Sequence, residues 1–254
     1  MADSNLVKFG SYDIEAAQAE GVGIGGAFFT PPVGRSIVRV IPPPVGVKSP
    51  YLVTYQHYIE TPATDSAIKF NCPEVTRKDF CPACERYRAL TKSGNPADSK
   101  AAESWKAKRR VYVNILDRAN PDKGPQVWAF GVMIHRRLID LREDNVQGVD
   151  YTHPVTGYDI VLKKEGSGRD TRYYADLARN ASKLAPDAES MNDLIDMQID
   201  LAPFAKMLSD DEMIDALGGL IGSHKAAATQ SRARSAQDDI DAAYTENVGP
   251  DKTR

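Results

Sequence analysis

The stretch Arg110-Val-Tyr-Val-Asn-Ile-Leu116, Asn120-Pro-Asp-Lys-Gly-Pro125, Gln126-Val-Trp-Ala-Phe-Gly-Val-Met133 reads as strand, turn and strand. The flanking runs are β-branched and aromatic, and the Pro/Gly-rich segment between them reverses the chain. The same pattern recurs on either side. Arg35–Ile41 alternates and stops at Pro42-Pro-Pro44. Tyr51–Ile59 places Tyr51, Val53, Tyr55, His57 and Ile59 on one face at period two. Tyr158–Lys164 and Thr171–Ala175 flank the turn Glu165-Gly-Ser-Gly168. Five or six short strands with such turns predict a small antiparallel barrel or sandwich.

Helical signals lie between and after the strands. Glu85–Lys92, Asp98–Lys108 and Ile134–Leu141 are candidates, and residues 187–217 form an acidic helical segment in which Ser209 and Glu212 make a capping box. Residues 1–25 read as a flexible arm, whose Gly-rich end is followed by Pro31-Pro32 rather than by a phosphate-binding helix. Residues 222–254 are polar and aperiodic and read as a disordered tail.

In this chain of 254 residues, 42% hydrophobic and 26% charged, whole-chain disorder is excluded and a full core is expected. No signal peptide and no apolar run long enough for a membrane span are visible, so a cytoplasmic protein is expected. The net charge of −3 argues against nucleic acid as a partner until it is resolved along the chain. Residues 105–173 carry 13 basic and 9 acidic residues, while 174–221 carry 3 and 10. A basic middle is followed by an acidic stretch.

All three cysteines fall within 72–84, two of them as Cys81-Pro-Ala-Cys84. With His57 they supply four N/S donors, the set of a closed structural zinc site. Other readings are reduced core cysteines, and a redox pair that would leave Cys72 without a role. A zinc-dependent nucleotide or base deaminase needs H-x-E and an open coordination position. Here the histidine motif is His57-Tyr-Ile-Glu60, one residue too long, and Cys72 fills the fourth place.

Around the strands, cations and aromatics interleave. Lys106, Lys108, Arg109 and Arg110 run into Tyr112, Trp128 and Phe130 share a face, and Lys163 and Lys164 precede Arg169, Arg172, Tyr173 and Tyr174. A basic groove with aromatic platforms is how single strands are bound without sequence preference. The plainer alternative makes the aromatics core and the cations a solvated face.

These residues resemble a known family, the zinc-containing single-stranded DNA-binding proteins of tailed phages, of the T-even helix-destabilising type. The resemblance rests on His57, Cys72, Cys81 and Cys84 in that order, on Arg110–Leu116, on Trp128-Ala-Phe-Gly131, on the stretch from His153 to Gly168, and on Phe28-Phe-Thr-Pro-Pro32 with Arg39-Val-Ile-Pro42. It implies an OB-fold core, a five-stranded antiparallel barrel, over residues 26–221, with an inserted zinc subdomain at about 55–92 and C-terminal helices. It implies one zinc per chain and a cleft for single-stranded DNA. It also implies no enzymatic activity, but coating and protection of single strands in phage DNA replication, recombination and repair, in the host cytoplasm. Expected DNA contacts are Arg39, Tyr55, Arg88, Lys108, Arg109, Arg110, Tyr112, Trp128, Phe130, Lys163, Lys164, Arg172 and Tyr173. Replication proteins recruited through the tail and self-association on DNA are further expected partners. The sequence departs from the family in two places. Lys8 is the only cation before Arg35, and the tail segment Gln237–Asp251 holds only five acids. A zinc-scaffolded protein-interaction adaptor is a third reading.

Overall fold

The computed structural model describes residues 28–60, 67–143 and 150–220; the expected arm at 1–25 and tail at 222–254 lie outside them. In chain order the strands and α-helices are β1 (Phe28–Phe29), β2 (Gly34–Val40), β3 (Tyr51–Glu60), β4 (Ala67–Asn71), α1 (Pro73–Arg77), α2 (Pro82–Lys92), α3 (Pro96–Trp105), β5 (Lys108–Asp117), β6 (Pro125–Gly131), α4 (Val132–Glu143), β7 (Tyr158–Glu165), β8 (Arg172–Ala181), α5 (Ala188–Asp196) and α6 (Asp210–Leu217). The architecture is mixed α/β. No helix among the described residues is long and apolar enough to cross a membrane. The described residues divide into two compact units, one within 28–51 and 112–200, the other within 52–111 and 201–220.

In the first unit the strands follow the order β1-β6-β5-β2-β7-β8. Among the described residues this path is open, with β1 and β8 at its ends, and does not close on itself as the expected barrel would. β2 is antiparallel to β5 and to β7, and β7 to β8. Val38 and Val40 of β2, Ile115 of β5 and Ile160 of β7 are fully buried, as period-two alternation requires. Asn114, buried in β5, binds the backbone beyond α5 twice: Nδ2–H donates to Ile199 O at 2.9 Å, and Oδ1 accepts from Ile199 N at 3.1 Å. α5 sets Met191 against Ile41 and Leu184.

One buried cation organises the end of this sheet. Arg39, 0% exposed, donates to His153 O at 2.7 Å, to Ser182 O at 3.0 Å and to Ser182 Oγ at 3.2 Å, and pairs with Asp159 at 3.5 Å. Arg118 joins the same carboxylate at 2.9 Å. Burial pulls the Arg39 guanidinium down to about 10 against the opposing pull of Asp159, so it stays charged at neutral pH. The turn 151–157 closes over it only because residue 157 is glycine. A Cβ there would sit 2.5 Å from Arg39 Nη2 and from the carbonyls of Tyr151 and His153.

In the second unit β3 pairs antiparallel with β4, His57 facing Phe70, and also pairs with β5. Ile59, Phe70, Leu90, Trp105, Met213 and Leu217 form its core around the cysteines. α6 begins at the capping box read from Ser209 and Glu212. Asn71 donates to Phe204 O at 2.8 Å and Lys206 O at 2.7 Å, tying the segment before α6 to the end of β4.

Gly157→Ala is expected to cost about 1–3 kcal/mol by overpacking at Arg39. Gly131→Ala, where a Cβ meets nothing within 4 Å, should stay within about 0.5 kcal/mol of the parent. Urea unfolding of the two variants measures both.

Candidate metal centre and nucleic-acid interface

His57 lies on β3, Cys72 just past β4 as N-cap of α1, Cys81 at the N-cap of α2, and Cys84 in its first turn. Both helices start with proline, whose missing N–H is no loss there and whose fixed φ suits the first turn. The two tight helix starts and the strand bring four buried side chains together, with their donor atoms all within 4.8 Å of one another.

The separations fit a tetrahedral site. Cys81 Sγ and Cys84 Sγ lie 3.3 and 3.6 Å from His57 Nε2, and Cys72 Sγ lies 3.5 Å from Cys84 Sγ. An ion held at about 2.3 Å by sulfur and 2.0 Å by nitrogen sets tetrahedron edges of roughly 3.5–3.8 Å. The backbone N–H of Val75 points at Cys72 Sγ from 3.5 Å.

The histidine is oriented from behind. Its Nδ1–H donates to Trp105 O at 2.7 Å, which leaves the Nε2 lone pair facing the sulfurs. Phe70 packs on the ring with centroids 5.1 Å apart. Electrostatically the pocket calls for a cation. Burial lowers the His57 pKa, but hydrogen bonds to Cys72 and Cys81 outweigh it and push it up to about 9. Hydrogen bonds from Cys81 and Cys84 pull Cys72 well below the usual thiol range. Cys84, hydrogen-bonded to the other two thiols and buried, is pushed up. Three thiols cannot all ionise side by side in a dry pocket without a compensating positive charge.

The residues expected to touch DNA divide sharply. Arg39 is the buried clamp described above, so it has no surface to offer. Tyr112, Trp128 and Phe130 are core residues at 7, 2 and 5% exposure, with the Trp128 and Phe130 rings 4.3 Å apart. Their burial fits the plainer reading of the aromatics as core, and β6 is covered along most of its length. Tyr55 packs against the core of the second unit. Arg88 is held by Glu74, at 2.5 and 3.0 Å, and by Glu85.

Others are on the surface. Lys108 and Arg110 are exposed; Arg109 between them is half-buried. On β7 and β8 the register separates neighbours in sequence. Lys163 is opposite Tyr174, and Lys164 opposite Tyr173. Lys164 reaches Pro31 O at 3.1 Å and sits 5.8 Å from the centre of the Tyr173 ring, on the face of buried Leu162 and Ala175. Lys163, Tyr174 and Arg172 share the opposite, outward face.

β2 extends that face, because Arg35 is opposite Lys163. A row of Arg35, Lys163 and Tyr174 therefore crosses three strands, with Tyr174 47% exposed. Arg35 was not among the residues expected to touch DNA, although it is four residues before Arg39 on the same strand face.

Residues 33–217 match the family model described as gp32 DNA binding protein like. The chain belongs to this family of DNA-binding proteins. A search of the curated proteins returned no match. The matched span of the gp32-like protein takes in the four-donor cluster and all three residues of the outward row.

Cys84→Ser should weaken metal binding by at least about 100-fold, more than is typical for loss of an outer-shell partner. Affinity should also fall as pH drops below about 9, where the His57 imidazole takes up its proton, because only deprotonated donors bind metal. Elemental analysis and competition with a chromogenic chelator measure both.

Proposed function

We propose that this gp32-like protein is a non-enzymatic single-stranded DNA-binding protein with one structural zinc. In this reading it coats and protects single strands during phage DNA replication, recombination and repair. The family supports DNA as the ligand, and the observation that carries the single-strand reading is the outward row Arg35–Lys163–Tyr174. It offers phosphate partners beside an exposed aromatic face, on a strand surface where an unpaired base can lie flat. Lys163 pairs with Glu165 at 2.5 Å, but both are well exposed, so a phosphate can readily replace that carboxylate. Lys108 and Arg110 add a second basic surface.

Zinc is the ion that suits three thiolates and one imidazole in a closed tetrahedron. His57, Cys72, Cys81 and Cys84 would hold it, with no position left for a reactive water. Its role is then to stabilise the fold: binding joins β3, the end of β4 and the start of α2, and that binding energy is folding energy. In the same reading the sheet of the first unit is an OB-type core within residues 26–221, and β3 to α2 is the inserted zinc subdomain at about 55–92.

Tyr174→Ala should lower affinity for oligothymidylate by about 1–3 kcal/mol, the worth of one stacked base. Lys163→Ala should reduce the slope of log K against log salt by about 0.7, one phosphate on a single strand. Fluorescence titrations at several salt concentrations, with a duplex control, test this. Tight binding to duplex and none to single strands, or a slope near zero, contradicts the proposal.

A further inference from the structure

β2 pairs with β5 only from Val38 onward, where Val38 faces Asp117. Of the preceding residues, all paired with β7, Ile37 O accepts from Arg118 N at 3.0 Å just past β5, while Gly34–Ser36 have no β5 partner. A groove of about 610 Å³ opens along this edge, bounded by β1 and the turn that joins β5 to β6. Its volume lies in the range of sites that take small ligands, about 300–1,000 Å³.

The lining has a definite chemistry. Phe28, a residue that is 42% exposed, brings an aromatic side chain to it. Arg35 and Lys123 bring two cations, and among the described residues neither is in an ion pair. Ser36 Oγ, also in the lining, is buried and has no hydrogen-bond partner. The other charges are already engaged. Asp117 accepts from Ala119 N at 3.0 Å and Asn120 Nδ2 at 2.7 Å. Arg118 holds Asp159 and the carbonyls of Lys183 and Leu184. The uncommitted charge is therefore positive, beside an aromatic face and an unsatisfied hydroxyl.

Arg35 belongs both to this groove and to the outward row. Strands are about 4.8 Å apart, so the path from Tyr174 on β8 to Arg35 on β2 is roughly 10 Å and leads directly into the groove. We propose that the groove is a second nucleotide subsite, in which the strand that crosses Tyr174 and Lys163 continues past Arg35, stacks a base on Phe28 and sets a phosphate beside Lys123, with Ser36 Oγ as a hydrogen-bond partner. This rests on the single-strand reading and extends it to the length of DNA engaged.

The test compares tetrathymidylate with dodecathymidylate on the full chain, using the parent, Phe28→Ala and Lys123→Glu. Lys123 is on an exposed turn, so its variant keeps the test usable should Phe28→Ala fail to fold. Both variants should lose about tenfold in affinity for the long oligomer, the worth of one stacked base or one phosphate, and stay within twofold of the parent for the short one. Unchanged long-oligomer affinity in both folded variants overturns the subsite. A variant that loses binding of an acidic peptide such as hexaglutamate, with long-oligomer affinity intact, assigns the groove to a protein partner and also overturns it. A parent that binds neither oligomer overturns the single-strand reading itself.

Discussion

Four donor atoms buried within 4.8 Å of one another are the constraint on which the second unit depends. His57, Cys72, Cys81 and Cys84 come from a strand, a strand end and a helix start. Among the described residues the complete elements between them are only the five residues of β4 and the five of α1. Such short elements do not hold together alone. The thiols and imidazole form part of the core, packed with Phe70, Leu90 and Trp105. An ion that joined them would add its binding energy to that of this core. The bond from His57 Nδ1–H to Trp105 O carries the constraint outward, because Trp105 is followed at once by Lys106 and Lys108. The candidate metal centre is thus tied through a single imidazole to the segment that leads into Lys106 and Lys108.

The first unit uses a different device for a related purpose. Arg39 is charged and fully buried, which is tolerable only because it is paired with Asp159 and donates to two backbone carbonyls. Those bonds pin the turn 151–157 and the end of β8 onto β2. Arg35 is on the same strand face, four residues away, and stays in solvent. One arginine builds the sheet and the other stays on its surface.

Much of this was legible in the sequence, for identifiable reasons. Alternation located β2, β3, β5, β6, β7 and the start of β8, since each has one face turned to a core. The metal cluster was legible because its chemistry resides in residue types and spacing. β1 escaped because two residues carry no period, and β4, Ala67-Ile-Lys-Phe-Asn71, because it is short and defined by pairing with β3. The surface proposed for DNA was the least legible. Periodicity shows that Trp128 and Phe130 share a face but not whether that face is covered. Tyr173 and Tyr174 look alike in sequence, yet adjacent strand residues point to opposite sides, and only the register with Lys163 picks out Tyr174. That Arg39 is buried and Arg35 exposed was illegible for the same reason: the turn that covers Arg39 is more than a hundred residues away in the chain.

The central claim is that a metal ion bound by these four side chains holds the second unit together and supports its basic surface. Amide hydrogen exchange on metal-loaded and chelator-stripped protein tests it most directly. The account predicts that stripping exposes residues 57–60, 67–84 and 105–110 to rapid exchange while β2 and β7 keep their protection. Full protection of those segments in metal-free protein would contradict it.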